Sequence, residues 1–531
     1  MQLKIDKYQY FKKMKFNGNY SKKNTDICNR ETRINIQNNL IIFRMNATDI
    51  RQLEPKALWQ NFYSLTQIPR PSHKKEEIGT FLENFGKSLG LETRRDEIGN
   101  VLVCKPATPG MENRKTVVLQ AHMDMVPQKN SHVAHDFQKD PIDAYIDGEW
   151  VTARDTTLGA DNGIGLAAAM SILQSKGIPH PAIEMFITVD EETGMFGAFG
   201  LQPNFLKGDI LINMDSEDEG ELYVGCAGGI DGDITFRYKE VEIPEGDVAL
   251  KISLTGLKGG HSGVDIHLQR ANANKLMFRF LKDAVADLEV RLASVDGGSL
   301  RNAIPREAFV VVTVPVDGVD DVVEFVQECE ELFIEEYKGV EDKISFTVEQ
   351  VELPTGLIPE EVQDDLINGV TACPNGVLRF IPELPTVVET SNNLAIIKSD
   401  GSSITVRCLV RSSVESRKEE LASMVESVFL LAGAKVELVG GYPGWKPNLD
   451  SPILKLMTKV YEDKYGKTPK VMIIHAGLEC GILGTHYPHM DMISFGPTIR
   501  YPHSPDEKVN IATVQKFWDY LLATLENIPA K

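Results

Sequence analysis

The sequence lacks the features that would assign it to the membrane, disulfide-bonded or nucleic-acid-binding classes. No run approaches the roughly 18 apolar residues that a membrane helix needs. The seven cysteines are scattered, odd in number and free of CxxC pairs, so neither a disulfide framework nor a thiolate zinc site is indicated. Acidic residues outnumber basic ones, 76 to 56, and the formal net charge of -20 would repel nucleic acid and anionic lipid surfaces. We therefore expect a cytoplasmic protein with no nucleic-acid or membrane partner.

The length points to more than one domain. A chain of 531 residues exceeds one ordinary core, so two domains plus extensions are expected. The first 44 residues are rich in Lys and Asn and lack the small-residue cleavage site of a secretory signal. We expect residues 1–44 to be a disordered or spurious extension, because the sequence from Met45 onward resembles an ordinary protein N-terminus. A basic arm is the alternative.

The rest of the chain shows two different patterns of predicted strands and helices. In residues 45–246, apolar strands such as "TVVLQAHMD", "AIEMFITVD" and "DILINMD" alternate with helices, which predicts an α/β sheet containing parallel strands. Residues 247–440 instead predict two βαββαβ-like units in succession, forming an α+β domain. Helix "ILKLMTKVYEDKYG" and strand "KVMIIHAG" then resume the alternation of helices and apolar strands seen in residues 45–246. The first domain is therefore predicted to be discontinuous, made of 45–246 and 441–531, with 247–440 inserted.

Polar side chains recur where the apolar strands end. His122 and Asp124 are two residues apart, so on an extended strand both side chains leave the same face. They could share a metal, or the carboxylate could orient the imidazole, or they could form a simple surface pair. Asp161 in "TTLGADNGIG" precedes a glycine-rich helix start, where an N-cap is the alternative to a ligand.

Further acids follow the next two strands. "FITVDEETG" places Glu191 and Glu192 side by side, and adjacent side chains on an extended backbone point in opposite directions. One could therefore bind a metal while the other handles protons, although a solvated acidic loop is the alternative. Asp215 ends another strand in "LINMDSEDEG", and His503 lies in the proline-punctuated loop "TIRYPHSPDEKVN".

Taken together, these residues predict a di-metal hydrolase. Ligands of open α/β sheets lie outside the carboxyl ends of the strands. Two histidines with three or more carboxylates and no cysteine suit two Zn²⁺ ions, or Mn²⁺ or Co²⁺, that share a bridging carboxylate. Carboxylates gathered at buried strand ends also repel one another unless they are protonated or paired with cations.

The motifs resemble one peptidase family from about Met45 to the C-terminus. The chain is similar to the di-zinc peptidase family that contains aminoacylase, carboxypeptidase G and the bacterial dipeptidases, and within it to the aminoacyl-histidine (Xaa-His) dipeptidases. Eight segments carry the resemblance in the expected order: "AHMDMVP", "HDFQKDPI", "TTLGADNGIG", "TVDEETGM", "INMDSEDEG", "GGHSGVDIH", "IIHAGLECG" and "YPHSPDE".

The resemblance implies a role for each of these residues. It implies a discontinuous di-zinc catalytic domain with an inserted lid and dimerisation domain at 247–440. The family pattern gives five metal ligands, with the second bridging two Zn²⁺ ions: His122, Asp161, Glu192, Asp215 and His503. It makes Asp124 the carboxylate that orients His122, and Glu191 the general base. A lid of about 190 residues is longer than the single small lid common in the wider family, which suits the histidine-dipeptidase group.

The lid supplies the remaining implied contacts. His261 in "LKGGHSGVDIH" would contact the substrate and the oxyanion when the lid closes, in some relatives from the partner subunit. Asn302 and Arg411 would hold the carboxylate end of the substrate, with Arg407 as the alternative arginine. Two residues of "IIHAGLECGIL" are assigned either to the substrate pocket or to strand-to-helix packing: His475 and Glu479.

The expected activity is hydrolysis of dipeptides. Xaa-His peptides such as carnosine and other short unblocked peptides would be cleaved by zinc-bound hydroxide, with a glutamate as general base. The expected partners are small peptide substrates and a second copy of the chain in a homodimer. Two alternatives stay open at this point: an N-acyl amino acid amidohydrolase of the same fold, and a non-catalytic metal-binding relative, against which the intact Glu191 speaks.

Overall fold

A computed structural model describes residues 49–531 of the chain. The extension predicted for residues 1–44 lies outside these described residues. Two large β-sheets organise the described chain, one of eight strands and one of nine. Within residues 49–531, every helix is too short or too polar to span a bilayer.

The eight-stranded sheet is assembled from two separate parts of the chain. Its strands, in spatial order, are Glu92–Arg95, Val101–Lys105, Ile183–Thr188, Val117–His122, Ile210–Asn213, Asp491–Ser494, Glu221–Cys226 and Lys470–Ile474. The third to sixth of these pair in parallel, and the first two pair antiparallel at one edge. The predicted sheet containing parallel strands, built from a discontinuous stretch of chain, is confirmed.

Helices cover both faces of this sheet. They are Lys56–Thr66, Lys75–Ser88, Ala160–Gln174, Phe196–Phe199, Pro452–Tyr465, Glu479–His486 and Ile511–Glu526. Residues 162–173 of the third helix are all buried, as expected for a helix that is apolar all round. In the central strand, Leu119 packs into the core on one face and Val118 into the core on the other. Burial on both faces explains why these strands read as continuous apolar runs.

A small four-stranded sheet holds the C-terminal loop in place. Its antiparallel strands are Ala144–Asp147, Trp150–Ala153, Lys508–Asn510 and Ile499–Arg500. The Ile499 N–H donates to the Glu217 carbonyl at 3.1 Å. The loop between the last two strands, which carries His503, is therefore tied to the segment that follows strand Ile210–Asn213.

The nine-stranded sheet is antiparallel throughout and lies entirely between residues 228 and 442. In spatial order its strands are Ser345–Val351, Asp247–Thr255, Ala308–Pro315, Arg291–Gly297, Leu384–Ser399, Ser403–Ser412, Gly228–Arg237 and Lys435–Tyr442, with Gly376–Ile381 paired to the fifth. Its helices Ala273–Asp287, Val319–Glu336, Glu360–Ala372 and Glu415–Leu431 share one apolar core with the sheet. Shorter elements complete the chain: strands Gly260–His261 and Ala303–Ile304, and 3₁₀ turns Ile50–Gln52, Ile266–Leu268 and Val316–Gly318.

The two βαββαβ-like units are nested, whereas the sequence predicted them in succession. Strand Gly228–Arg237 pairs with Ser403–Ser412 on one side and Lys435–Tyr442 on the other, so it opens the unit that the C-terminal half of the lid completes. The other unit, 247–351, is inserted after this strand. The units join edge to edge where residues 296–297 pair with residues 397–398. The expected succession is wrong because the strand "GGIDGDITFRY" follows the first domain directly in sequence but pairs within the second sheet.

Strand Gly228–Arg237 also affects where the inserted domain begins. The insertion was predicted to begin at 247, but the second sheet begins at Gly228. The two crossing segments run side by side here, since Cys226 and Trp445 exchange backbone hydrogen bonds of 3.0 Å. A Cβ on Gly228 would lie 2.5 Å from the backbone nitrogen of Gly444, so only glycine permits this approach. The limits of both domains stay a prediction.

Candidate active site

Three neighbouring parallel strands deliver polar side chains to one edge of the eight-stranded sheet. His122 is the last residue of its strand, Glu191 and Glu192 follow strand Ile183–Thr188, and Asp215 follows strand Ile210–Asn213. The carboxyl ends of parallel strands meet at a common edge. These side chains, predicted separately from the sequence, therefore lie together.

His122 is buried between carboxylates. Its side chain is 1% exposed, and Nε2 lies 3.1 Å from Asp161 Oδ1 and 3.4 Å from Asp215 Oδ1. Its Nδ1 faces Asp124, 3.4 Å from Oδ1 and 3.1 Å from the backbone oxygen. One ring nitrogen thus faces the carboxylate cluster while the other faces Asp124.

His503 approaches the same cluster from the C-terminal loop. Its Nε2 lies 2.9 Å from Glu192 Oε2 and 3.3 Å from Asp161 Oδ2. Its backbone has φ of 60°, a left-handed conformation that turns this residue out of the loop. The two oxygens of Asp161 therefore face two different histidines, Oδ1 toward His122 and Oδ2 toward His503.

The spacing of these atoms fits metal ions. Two groups of potential ligands share Asp161: one with His122 and Asp215, the other with Glu192 and His503, and the ligand atoms within each lie within 4.8 Å of one another. A tetrahedral Zn²⁺ with bonds of about 2.0 to 2.2 Å places its ligands roughly 3.3 to 3.6 Å apart. The contacts described above, 2.9 to 3.4 Å, lie within or slightly below that range, so small shifts of the side chains would accommodate an ion in each group. A third group combines His122 with Glu191 and Glu192.

The cluster is electrostatically incomplete without cations. Burial, reinforced by neighbouring carboxylates, raises the pKa of Glu191 well above its usual range and that of Glu192 to about 7. Burial likewise raises the pKa of Asp215. Burial alone would lower the pKa of His503, but Asp161 and Glu192 beside it raise that pKa to about 11. Carboxylates buried at this density call for positive charge among them.

Asp124 is held by groups around the cluster. Its Oδ2 accepts hydrogen bonds from Ser72 Oγ at 2.8 Å and from the Glu192 N–H at 3.3 Å, and its Oδ1 accepts from the Glu191 N–H at 3.0 Å. This carboxylate therefore contacts both the His122 ring and the backbone of the two glutamates. Asp124 is 3% exposed, so its carboxylate is shielded from solvent.

His261 lies in the second sheet's domain, with one tautomer favoured by its contacts. Its Nδ1 accepts hydrogen bonds from the Gly263 and Val264 N–H groups at 3.1 and 3.0 Å. In the neutral ring the proton must then be on Nε2. Burial and the nearby Arg411 lower the pKa of His261 to about 4, so the ring is neutral at pH 7. The free Nε2–H is available as a donor.

Arg411 and His475 form a second polar cluster with the lid strands. Arg411 is 5% exposed and donates from Nη1 to the Tyr442 hydroxyl at 2.9 Å. His475 Nε2 lies 2.7 Å from Ser391 Oγ, and burial followed by Arg411 and His261 lowers the pKa of His475 to about 3. The alternative arginine, Arg407, is exposed and pairs with an aspartate at 3.1 Å. Of the two arginines, only Arg411 lies with the histidines.

The remaining two predicted residues, Asn302 and Glu479, differ in exposure and in their partners. Asn302 is exposed and lines a lid groove of about 700 Å³ with His261; its backbone oxygen accepts from the Ser262 N–H at 2.8 Å. Glu479 is fully buried, accepts a hydrogen bond from Thr188 Oγ1 at 2.7 Å and is also bonded to Gln120. These contacts favour the packing alternative for Glu479, whose pKa burial raises to about 8.

Sequence reasoning missed two buried ions beside the cluster. Arg70 and Glu507 are each 2% exposed and hydrogen-bond the backbone of the segment that ends at Asp161, Arg70 at the Gly159 oxygen and Glu507 at N–H groups up to that of Asp161. Glu507 lies in the quoted segment "YPHSPDE", yet nothing in its type or spacing indicates that backbone N–H groups are its partners. Burial, followed by Asp161, raises the pKa of a further acid, Glu217, to about 8, and the sequence did not single out this residue either.

Comparison with known proteins gives consistent matches. The model of peptidase family M20/M25/M40 matches residues 118–527. The cytosol non-specific dipeptidase of Escherichia coli strain K12 is 47% identical over 484 residues, which span 91% of this chain and 100% of that protein. The crystal structure of aminoacylhistidine dipeptidase from Vibrio alginolyticus superposes with a TM-score of 0.84 at 52% identity, covering 91% of this chain and 98% of that one.

A more distant structure shares the fold. The aminopeptidase PepT from Bacillus cereus superposes with a TM-score of 0.52 at 17% identity, covering 90% of this chain and 99% of that chain, a likeness that concerns the fold alone. The resemblance inferred from the sequence motifs, and the fold that it implied, are confirmed by these matches.

Proposed function

Because this chain belongs to peptidase family M20/M25/M40, we propose that it is a metal-dependent dipeptidase that cleaves short unblocked peptides, including Xaa-His peptides such as carnosine. The observation that carries this is the Asp161 carboxylate, whose two oxygens face His122 and His503 from within a buried acidic cluster. The names of the Escherichia coli and Vibrio alginolyticus relatives support the substrate class.

Use of a divalent metal follows from the family, and we propose two Zn²⁺ ions, with Mn²⁺ or Co²⁺ as substitutes. Asp161 would bridge them. The remaining ligands would be His122 and Asp215 at one ion, and Glu192 and His503 at the other. When bound, such ions polarise a carbonyl and lower the pKa of water.

The side chains around the cluster would do the proton and positioning work. Glu191 would take a proton from the attacking water and pass it to the leaving amine, because it lies next to the ligands without being needed as one. Asp124 would hold the ring of His122 and the Glu191 backbone in register. The Nε2–H of His261 would donate to the developing oxyanion, and Arg411 would grip the substrate carboxylate.

We also propose the organisation of the protein. The catalytic domain would comprise residues 45–227 and 443–531, and the lid and dimerisation domain residues 228–442, because the nine-stranded sheet spans Gly228 to Tyr442. A homodimer and a cytosolic location complete the proposal. The location is supported by the name of the Escherichia coli relative and by the absence of paired cysteines in the sequence.

A substrate panel tests the activity. Purified protein would be loaded with zinc, analysed for metal, and given β-alanyl-histidine, other dipeptides, tripeptides and N-acetyl amino acids. We expect hydrolysis of the unblocked dipeptides and close to two ions per chain. Hydrolysis of the blocked substrates alone would favour the amidohydrolase alternative, and a single tightly held ion would refute the bridging role of Asp161.

A matched pair of variants tests the mechanism. Glu191→Gln removes the proposed base, so turnover should fall by at least about 100-fold, within the usual contribution of general base catalysis. Glu219→Gln is the control, because that carboxylate pairs with Tyr461 at 2.6 Å and Lys516 at 3.4 Å and contacts no proposed ligand. Full turnover by Glu191→Gln would contradict the mechanism.

A further inference from the structure

Two buried ions of opposite charge, Arg70 and Glu507, contact the backbone of the segment that carries Asp161. We propose that Arg70 and Glu507 are positioning residues that hold the Asp161 carboxylate between the two histidines. This inference rests on the proposed function. Neither side chain touches the acidic cluster directly, so both would act through the backbone of segment 158–161, named here the bridge segment.

Glu507 accepts hydrogen bonds from four consecutive backbone N–H groups. Its Oε2 accepts from Leu158 and Gly159 at 2.7 and 2.9 Å, and its Oε1 accepts from Ala160 and Asp161 at 2.8 and 3.3 Å. An ionised carboxylate offers about four lone-pair sites, so the bridge segment uses its accepting capacity fully. Four bonds to successive residues fix the path of the bridge segment relative to Glu507.

Glu507 also links two proposed ligands. It lies four residues after His503, in the same loop, and this loop is anchored by the small four-stranded sheet. The backbone bonds therefore set the distance between the Asp161 segment and the His503 loop. The 3.3 Å separation of Asp161 Oδ2 and His503 Nε2 depends on this connection.

Arg70 links the bridge segment to the strand that ends at His122. Its Nη1 donates to the backbone oxygens of Met123 and Asp124 at 3.0 and 3.1 Å, and its Nη2 donates to the Gly159 oxygen at 2.5 Å. The planar guanidinium spans both segments because it carries several donors in a fixed fork. Gly159 has φ of 71°, and a Cβ there would lie 2.5 Å from Arg70 Nη2, so only glycine allows this approach.

Together the two ions connect three ligand-bearing segments: the end of strand Val117–His122, the bridge segment, and the loop with His503. The connection runs through backbone atoms, so it determines the relative positions of the ligands but does not depend on their side-chain types. Partners that orient metal ligands without touching the metal typically contribute about 10 to 100-fold to metal affinity. Loss of either ion should therefore appear first as weaker metal binding.

The test compares Glu507→Gln with a matched control, Glu184→Gln. Glu184 is also a buried glutamate, 5% exposed, that accepts backbone N–H bonds, from Lys207 and Gly208 at 2.9 and 3.0 Å. It lies at the opposite end of its strand from Glu191. Zinc affinity would be measured by chelator competition on the full chain, together with the visible absorption spectrum of the Co²⁺-loaded protein.

We expect Glu507→Gln to weaken zinc binding by about tenfold to a hundredfold and to alter the Co²⁺ spectrum, whereas Glu184→Gln should lower thermal stability only. Unchanged zinc affinity and spectrum in Glu507→Gln would overturn the inference, as would an equal loss in the Glu184→Gln control. If Glu507→Gln fails to fold, Arg70→Lys, which keeps the charge but loses the fork, must show the same weakening or the inference is wrong. Failure of the wild type to bind two ions would instead count against the proposed function.

Discussion

His261 offers the sharpest test of how the lid takes part in the reaction. Its Nδ1 is occupied by two backbone N–H groups, so only Nε2–H is free to donate. Two substitutions separate these tasks. His261→Asn provides an amide oxygen at the position of Nδ1 but has nothing in place of Nε2, while His261→Ala removes both.

The two tasks have different magnitudes. One oxyanion donor is worth about 10² to 10³ in kcat, or roughly 2.7 to 4 kcal/mol of barrier. The two hydrogen bonds accepted by Nδ1 contribute about 0.5 to 1.5 kcal/mol each to stability. We therefore expect both variants to lose about 10² to 10³ in kcat, but only His261→Ala to lose about 1 to 3 kcal/mol of lid stability.

Steady-state kinetics on β-alanyl-histidine and denaturant unfolding give the two readouts. His267→Ala is the matched control, since His267 lies on the same segment with an exposed side chain. Zinc content should be unchanged in all three variants. Retention of wild-type kcat by His261→Asn would refute the reasoning, because that variant has no Nε2–H donor.

The protonation of His261 adds a pH signature. Its pKa in the fold, about 4, lies below the ordinary 6.5, so the folded state favours the neutral ring. The corresponding stability is fully present above pH 6.5 and is lost as the pH falls toward 4. Between pH 5 and 8 the ring stays neutral, so its titration should not contribute to the pH dependence of kcat. The pH profile of kcat over that range should therefore have the same shape in the wild type and in the His261→Asn variant.

Three further predictions follow from single contacts. Arg411→Lys should raise KM for dipeptides by about tenfold with little change in kcat, because lysine cannot keep both the bond to Tyr442 and a two-pronged grip on a carboxylate; steady-state kinetics check this. Gly165→Ala should lower zinc content measured by elemental analysis, since its Cβ would lie 2.3 Å from Asn162 Oδ1 and 2.6 Å from the Met214 oxygen; full zinc content would contradict it. Removal of metal by a chelator should lower Tm, because the buried carboxylates then repel one another; an unchanged Tm would show that they do not.

The local signals in the sequence were sufficient for the sheet and its edge. Apolar runs that end on acids or His indicated parallel strands buried on both faces, because such a strand is mostly apolar along its length. The clustering of His122, Glu191, Glu192 and Asp215 followed from the common edge, and Asp161 joins them from the start of helix Ala160–Gln174. Their individual roles stay predictions.

The nesting of the lid units was not accessible from local patterns. Strand Gly228–Arg237 has the same alternation as its neighbours, and only its pairing between Ser403–Ser412 and Lys435–Tyr442 assigns it to the lid. Register and pairing depend on contacts about 200 residues apart in the chain. The alternation of apolar and polar residues in a strand indicates which face is buried, but it does not identify the neighbouring strand.

By itself, the sequence determined the α/β class, the discontinuous first domain and the candidate ligands, because each depends on residue type and spacing within a short segment. Only the tertiary structure decided how the candidates are held. Glu507 and Arg70 bind backbone N–H and C=O groups of the bridge segment, which every residue carries alike, so no side-chain pattern could reveal them. The burial of Glu479 beneath the strand ends and the position of Arg411, but not Arg407, beside the buried histidines likewise depend on contacts between distant segments. The role of Arg411 stays a prediction.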